Sequence, residues 1–373
     1  MNKIYGFWIF LLVVIIISCQ GRTQGPEETN AFQVTAYYSG NGEDIENYPI
    51  EKLTQIIYSF LHLKGNKLAV DNPADSLTIL KLVTLKEKHP ELKVLLSLGG
   101  WGGCKTCSEV FSAEAGRQEF AQSLKDLLIL FNADGIDLDW EYPAIEGVPG
   151  HPFSADDKQN FTLLVKEMRR IIGDDYLISF AAGGFEKYFR ESIEWNEAMA
   201  YLDYVNIMTY DLVHGYSTRT GHHTPLYSTD EQKESVDFAV SYLDSIGVPK
   251  SKMVIGAAFY ARLWERVEPK NNGLYQDGNF KYFWCYFKNK ELLTQESGYE
   301  YFWDSIAHAP YMYNSDKKLY ATFDDQKSLA LKTRYALENQ LGGIMFWELV
   351  CDVPSDGLLG IINKSKQEYQ ANN

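Results

Sequence analysis

Asp134-Gly-Ile-Asp-Leu-Asp-Trp-Glu-Tyr-Pro143 places four carboxylates within eight positions of a run that is otherwise apolar. In an extended chain, period-two alternation sends Asp137, Asp139 and Glu141 to one face and Ile136, Leu138 and Trp140 to the other. One face is acidic and the other greasy. At roughly 3.3 Å per residue, neighbouring acids on that face start about 7 Å apart, close enough to touch or to share a proton. Desolvated carboxylates at this spacing cannot all ionise comfortably, so at least one pKa is expected to rise. The plainer readings of an acidic cluster are a solvated edge strand or a calcium loop. A calcium loop wants its acids around a central Gly in an exposed, helix-flanked turn, whereas this stretch alternates them with Ile, Leu and Trp.

Outward from this stretch, short β-rich runs alternate with amphipathic ones. Val34–Tyr38, Gln55–Leu61 and Lys93–Leu98 read as strands one to three, the acidic stretch as strand four, and Leu177–Ala182, Tyr204–Met208, Met253–Ala257 and Ile344–Trp347 as strands five to eight. Helices are expected at Ser76–His89, with Leu77, Leu80, Leu82, Val83 and Leu85 as its stripe, at Ala113–Phe131, at Ser154–Ile172 with Ser154 and Asp156 as cap candidates, at Gln232–Ile246 and at Lys327–Gln340. Between Tyr260 and Asp316 the pattern gives way to an irregular, aromatic-rich segment holding Tyr275, Tyr282, Phe283, Trp284 and Trp303. A structureless loop of that length is improbable, so a small α+β insertion is expected there. Eight strand–helix units imply a parallel sheet closed into a barrel: an α/β chain with a (β/α)8 TIM barrel over 31–363, interrupted by an insertion at 260–316 and followed by a polar tail at 364–373.

The composition fits one exported, globular unit. Of 373 residues, 45% are hydrophobic and 14% aromatic, with 8 Trp and 25 Tyr, which suits a groove for sugar rings although most rings must serve the core. The formal net charge of −15 argues against nucleic acid and suits an uncharged ligand. Residues 1–19 read as a signal segment: Lys3 is followed by an almost unbroken apolar run that ends at Ser18-Cys19, too short for a span of about 20 residues. Residues 20–30 read as a flexible tether. Small residue then Cys resembles the lipobox of bacterial lipoproteins, which implies lipidation of Cys19 as the chain's one membrane attachment. Ile16 and Ile17 depart from the usual pattern, and an ordinary secretory signal is the alternative. Cys104-Lys-Thr-Cys107 reads either as a tight disulfide or as a reduced pair, and with no second CxxC or His pair no metal site is expected. No cofactor is expected, and the sequence leaves the oligomeric state open.

In such a barrel the working face lies at the C-terminal strand ends, where Glu141 falls. Ser97-Leu-Gly-Gly-Trp101 closes strand three, Met208-Thr-Tyr-Asp211 strand six and Gly343-Ile-Met-Phe-Trp347 strand eight. Together with the DxxDxDxE pattern that begins at Asp134, these runs resemble, in order, the motifs of glycoside hydrolase family 18, the chitinase family, over essentially 34–360. The resemblance implies Glu141 as the acid and base, with Asp139 and Asp137 beside it and Tyr210 on the substrate's N-acetyl group. It implies Trp347 as the floor beneath the sugar, Asp211 and Met208 as neighbours of the N-acetyl group, and Arg262 as a binding residue in a Tyr-Ala-Arg run where the family has Tyr-Gly-Arg. Tyr37, Trp101 and Trp303 are candidate sugar platforms, and Asp134, Ser97, Gly99 and Gly100 are structural members of the motifs. Carboxylates on adjacent same-face positions of one strand approach a substrate from one side, so they do not flank a scissile bond as an acid and nucleophile pair does. The family's substrate-assisted route meets that difficulty, and the implied substrate is chitin or N-acetylglucosamine oligosaccharides. An endo-β-N-acetylglucosaminidase acting on the chitobiose core of N-glycans is the enzymatic alternative, and a carbohydrate-binding lectin on the same barrel is the non-enzymatic one.

Overall fold

The computed structural model describes residues 31–372, so the signal segment, the tether and Cys19 lie outside the described residues. Strands run β1 Gln33–Tyr38, β2 Gln55–Lys64, β3 Lys67–Ala69, β4 Lys93–Gly99, β5 Gly135–Asp139, β6 Leu177–Gly183, β7 Tyr204–Met208, β8 Met253–Ala258, β9 Tyr260–Glu265, β10 Asn279–Cys285, β11 Glu300–Asp304, β12 Ala309–Asn314, β13 Leu319–Thr322 and β14 Gly343–Trp347. The helices are α1 Pro73–Thr84, α2 Cys107–Ser112, α3 Glu114–Phe131, α4 Asp157–Ile172, α5 Glu186–Glu191, α6 Trp195–Ala198, α7 Val236–Ser245, α8 Gln326–Glu338 and α9 Leu358–Asn372. β1, β2, β4, β5, β6, β7, β8 and β14 pair in parallel in that order, and β1 also pairs with β14, so the eight close on themselves. This is the expected (β/α)8 barrel. β3, which the sequence reading lacked, hairpins antiparallel onto the extended end of β2.

Strand positions follow the short apolar runs closely, because parallel strands covered on both faces are apolar nearly throughout, as in Met253–Ala258 and Gly343–Trp347. Helix limits follow the sequence pattern less well. α1 begins earlier than expected, with Pro73 in its first turn and Asn72 capping it through the Ala74 and Asp75 amides. Its buried face is Thr78, Ile79 and Leu82, while Leu77 and Leu80 of the expected stripe point to solvent. At α4 Asp156 holds the cap position without a side-chain hydrogen bond, while Ser154 Oγ accepts the Asp156 amide at 3.3 Å and Asp157 receives the Ser154 amide and the Ser108 hydroxyl, each at 2.8 Å. α7 starts only after Ser235, whose hydroxyl accepts the Phe238 amide. Residues 364–372 of the polar tail continue α9.

The insertion corrects the expectation of an α+β subdomain. It extends to Thr322 and forms a five-stranded antiparallel sheet in the order β10-β9-β13-β12-β11. Its only helical pieces among the described residues are 3-10 turns at Lys270–Gly273 and Lys290–Leu292. Trp264, Tyr311, Tyr313 and Tyr320 give it a small core of its own. A disulfide from Cys285 at the end of β10 to Cys351 after β14 fastens it to the barrel, and Cys104 and Cys107 form a second disulfide.

Candidate active site

The acidic stretch ends its strand at Asp139 and carries Glu141 just past the strand end. Parity behaves as the sequence predicts. Ile136 and Leu138 are buried on the outward, helix-covered side, and Asp137 and Asp139 are buried on the inward side. Asp137 is surrounded by donors: the Tyr37 hydroxyl at 3.0 Å, Ser97 Oγ at 3.2 Å, Ser179 Oγ at 2.7 Å and Asn206 Nδ2 at 3.0 Å. Burial nevertheless raises its pKa against the pull of those four donors. Asp139 has a buried Oδ1 with no hydrogen-bond partner among the described residues. Burial, then the charge of Glu141 and then that of Asp137 push its carboxyl well above the usual range. Glu141 is pushed up to about 7, chiefly by burial and further by the charge of Asp211, with a hydrogen bond from Tyr142 opposing. The expected rise is therefore present, and it is greatest where donors are fewest.

Around this cluster the strand ends supply aromatic walls. Trp347 closes β14 with its ring stacked on Phe60 at 5.6 Å and tilted against Tyr37 at 5.9 Å. Tyr210 follows the buried Met208 at the end of β7, packs edge-on to Tyr260 at 6.2 Å and points its hydroxyl towards Met345 Sδ at 3.8 Å. Trp101, half exposed, stands edge-on to Tyr142 at 6.4 Å and tilted to Tyr216 at 6.2 Å. Gly99 and Gly100 let this wall approach. Gly99 has φ of +111°, and a Cβ there would lie 2.2 Å from the Asp139 carbonyl oxygen.

Asp211 sits at φ +57° and is held from several sides. Arg262 grips both of its carboxylate oxygens, the Tyr260 hydroxyl donates at 2.6 Å, and His223 Nδ1 lies 3.6 Å away. Burial would raise its pKa, but His223 and Arg262 outweigh that and hold the group below the usual carboxylate range. It is an ionised carboxylate with both oxygens engaged.

Two expected platforms are corrected. Tyr37 is buried and spends its hydroxyl on Asp137, so it braces the acids from below. Trp303 pairs with Pro310 in β11, which puts it on the sheet face opposite Arg262, and Lys327 Nζ covers its ring at 3.6 Å. Asp134 lies at the far, N-terminal end of β5, where it accepts from Lys86 at 2.9 Å and from the Val94 amide at 2.8 Å. Ser179, Asn206, Phe60, Tyr142 and His223 escaped the sequence reading. For Ser179 and Asn206 a signal existed: each is the polar residue at an inward position of an apolar strand, between Ile178 and Phe180 or between Val205 and Ile207.

Comparison with known proteins agrees with this geometry. Residues 33–352 match the family model described as glycosyl hydrolases family 18. Chitinase A1 of Niallia circulans is 34% identical over 303 residues, covering 74% of this chain and 42% of its own, so the chain spans less than half the length of that relative. Among solved structures, a family 18 N-acetylglucosaminidase from Paenibacillus barengoltzii superposes with a TM-score of 0.81 at 35% identity, covering 90% of this chain and 99% of that one. The Ostrinia furnacalis Group IV chitinase in complex with allosamidin superposes with a TM-score of 0.82 at 27% identity, covering 90% and 99%.

Proposed function

The chain belongs to the glycosyl hydrolases of family 18, and from that premise we propose that it is a chitinase cutting β-1,4-linked N-acetylglucosamine chains by substrate assistance. One observation carries the mechanism. Asp211, the other carboxylate whose charge raises Glu141, is gripped by Arg262 on both oxygens and so is not free to act as a nucleophile opposite Asp139 and Glu141. The nucleophile is then the acetamido oxygen of the sugar on the non-leaving side. It attacks C1 as the glycosidic C1–O bond breaks, and Glu141 gives its proton to the departing oxygen. Asp139 accepts the acetamido N–H and stabilises the oxazolinium ion. Glu141, now ionised, takes a proton from the water that attacks C1 and reopens the ring. Tyr210 holds the acetamido carbonyl, Trp347 underlies the sugar, and Asp137, fixed among its four donors, backs Asp139.

A second reading concerns the product. The Paenibacillus relative, matched over almost its whole length, is an N-acetylglucosaminidase, which favours release of single sugars over longer oligomers. Digestion of N-acetylated chitohexaose beside a high-mannose glycopeptide separates these readings. Short oligomers from the hexaose alone support the chitinase, single sugars alone support the second reading, and cleavage only of the glycopeptide supports the endo-β-N-acetylglucosaminidase. Binding without turnover on either substrate supports a lectin. Export is part of the same proposal. Two disulfides suit an oxidising compartment, and the apolar run ending at Ser18-Cys19 suits a lipid anchor at Cys19.

A further inference from the structure

The loop that carries Trp101 is glycine-rich and turns back on itself, the Gly103 amide donating to the Gly100 carbonyl at 2.9 Å. Gly100, Gly102 and Gly103 surround the ring, and the first two adopt φ of +77° and +90°. Such a run has more backbone freedom than any other kind of sequence. Its first end is fixed, because the Gly100 amide donates to the Asp139 carbonyl at 2.9 Å. Its second end reaches Cys104, whose disulfide partner Cys107 is fully buried and opens α2. That helix is itself anchored. Ser108 donates to Asp157 at 2.8 Å, and Phe111 packs on Trp140, the residue before Glu141, with ring centroids 5.5 Å apart.

We propose that the Cys104–Cys107 disulfide is a positioning element for substrate: it ties the glycine-rich loop to the anchored first turn of α2 and so holds the Trp101 ring beside Tyr142, the residue after Glu141. Only Trp101, Gly102 and Gly103 then lie between two fixed points. A disulfide that closes so few residues removes little chain entropy from the unfolded state, so its use lies in the folded loop rather than in global stability. This inference rests on the reading of Trp101 as a sugar platform.

The test compares wild type, C104A/C107A, W101A and the triple variant, all with Cys285–Cys351 intact, on N-acetylated chitohexaose. Removal of the disulfide should raise KM about 5- to 20-fold with kcat within about twofold, and should add nothing once Trp101 is gone. Hydrogen exchange of the 99–107 amides should speed up in C104A/C107A while the β5 amides stay protected. Exchange needs no turnover, so an inactive wild type would strike the chitinase reading and leave the clamp under test. Unchanged exchange, an unchanged KM, or a KM effect that persists in the W101A background would overturn the proposal. A C104A/C107A variant that fails to fold would overturn it as well, by giving the disulfide to the fold.

Discussion

A Glu141→Gln substitution removes one transferable proton while keeping the side chain's shape and most of its hydrogen bonds. Hydrolysis should fall by at least about 100-fold while oligosaccharide affinity stays within about tenfold, as steady-state kinetics and calorimetry would report. Because the acid must be protonated and titrates at about 7, kcat/KM in wild type should decline about tenfold per pH unit above that point. The same shift acts on stability. A carboxyl whose folded pKa is raised holds its proton more tightly when folded, so its contribution is present at low pH and is lost as pH climbs from 4.5 to about 7. Glu141→Gln escapes that loss. Its stability relative to wild type should improve by about 1–3 kcal/mol between pH 4 and pH 8 in denaturant melts. These acids were legible in the sequence because alternation is local. Tyr37 was not, since its role is set by Asp137, a hundred residues away, and no local pattern distinguishes a donor beneath the acids from a platform above them.

Among the elements, the barrel strands could be read to within a few residues, whereas the insertion could not. Its pairing of β9 with β13 joins segments some sixty residues apart, and a register shift between Phe280 and Tyr282 blurs the alternation in β10. Aromatics on both faces of that sheet hid its period. Parity within it now separates Arg262, which faces Asp211, from Trp303, which does not. Arg262→Lys should therefore lower kcat/KM about 10- to 100-fold, because an ammonium cannot grip both oxygens of Asp211 as the planar fork does. Trp303→Ala should leave kcat/KM within about twofold. A comparable loss in both variants would place the insertion differently against the cluster. At the β4 end, Gly99→Ala would drive a methyl group to 2.2 Å from the Asp139 carbonyl oxygen at a backbone angle that L-residues rarely adopt. Destabilisation of about 2–4 kcal/mol or more is expected in thermal or denaturant unfolding.

For the whole molecule, the barrel brings strand-end motifs from across the chain to one rim. Among the described residues no helix is long and apolar enough to cross a membrane; the proposed attachment is a lipid at Cys19. Cys19→Ala should turn a membrane-fraction protein into a soluble or unprocessed one. Unchanged fractionation, with a mature N-terminus elsewhere, would reject the anchor. In the proposed mechanism the substrate supplies its own nucleophile. Proton NMR of a fresh digest of partially acetylated chitosan reads out both the anomer released and the acetylation of each new reducing end. Two successive inversions at C1 predict that every new reducing end is N-acetylated and appears first as the β-anomer. New reducing ends carrying free amines, or an initial α-anomer, would contradict it.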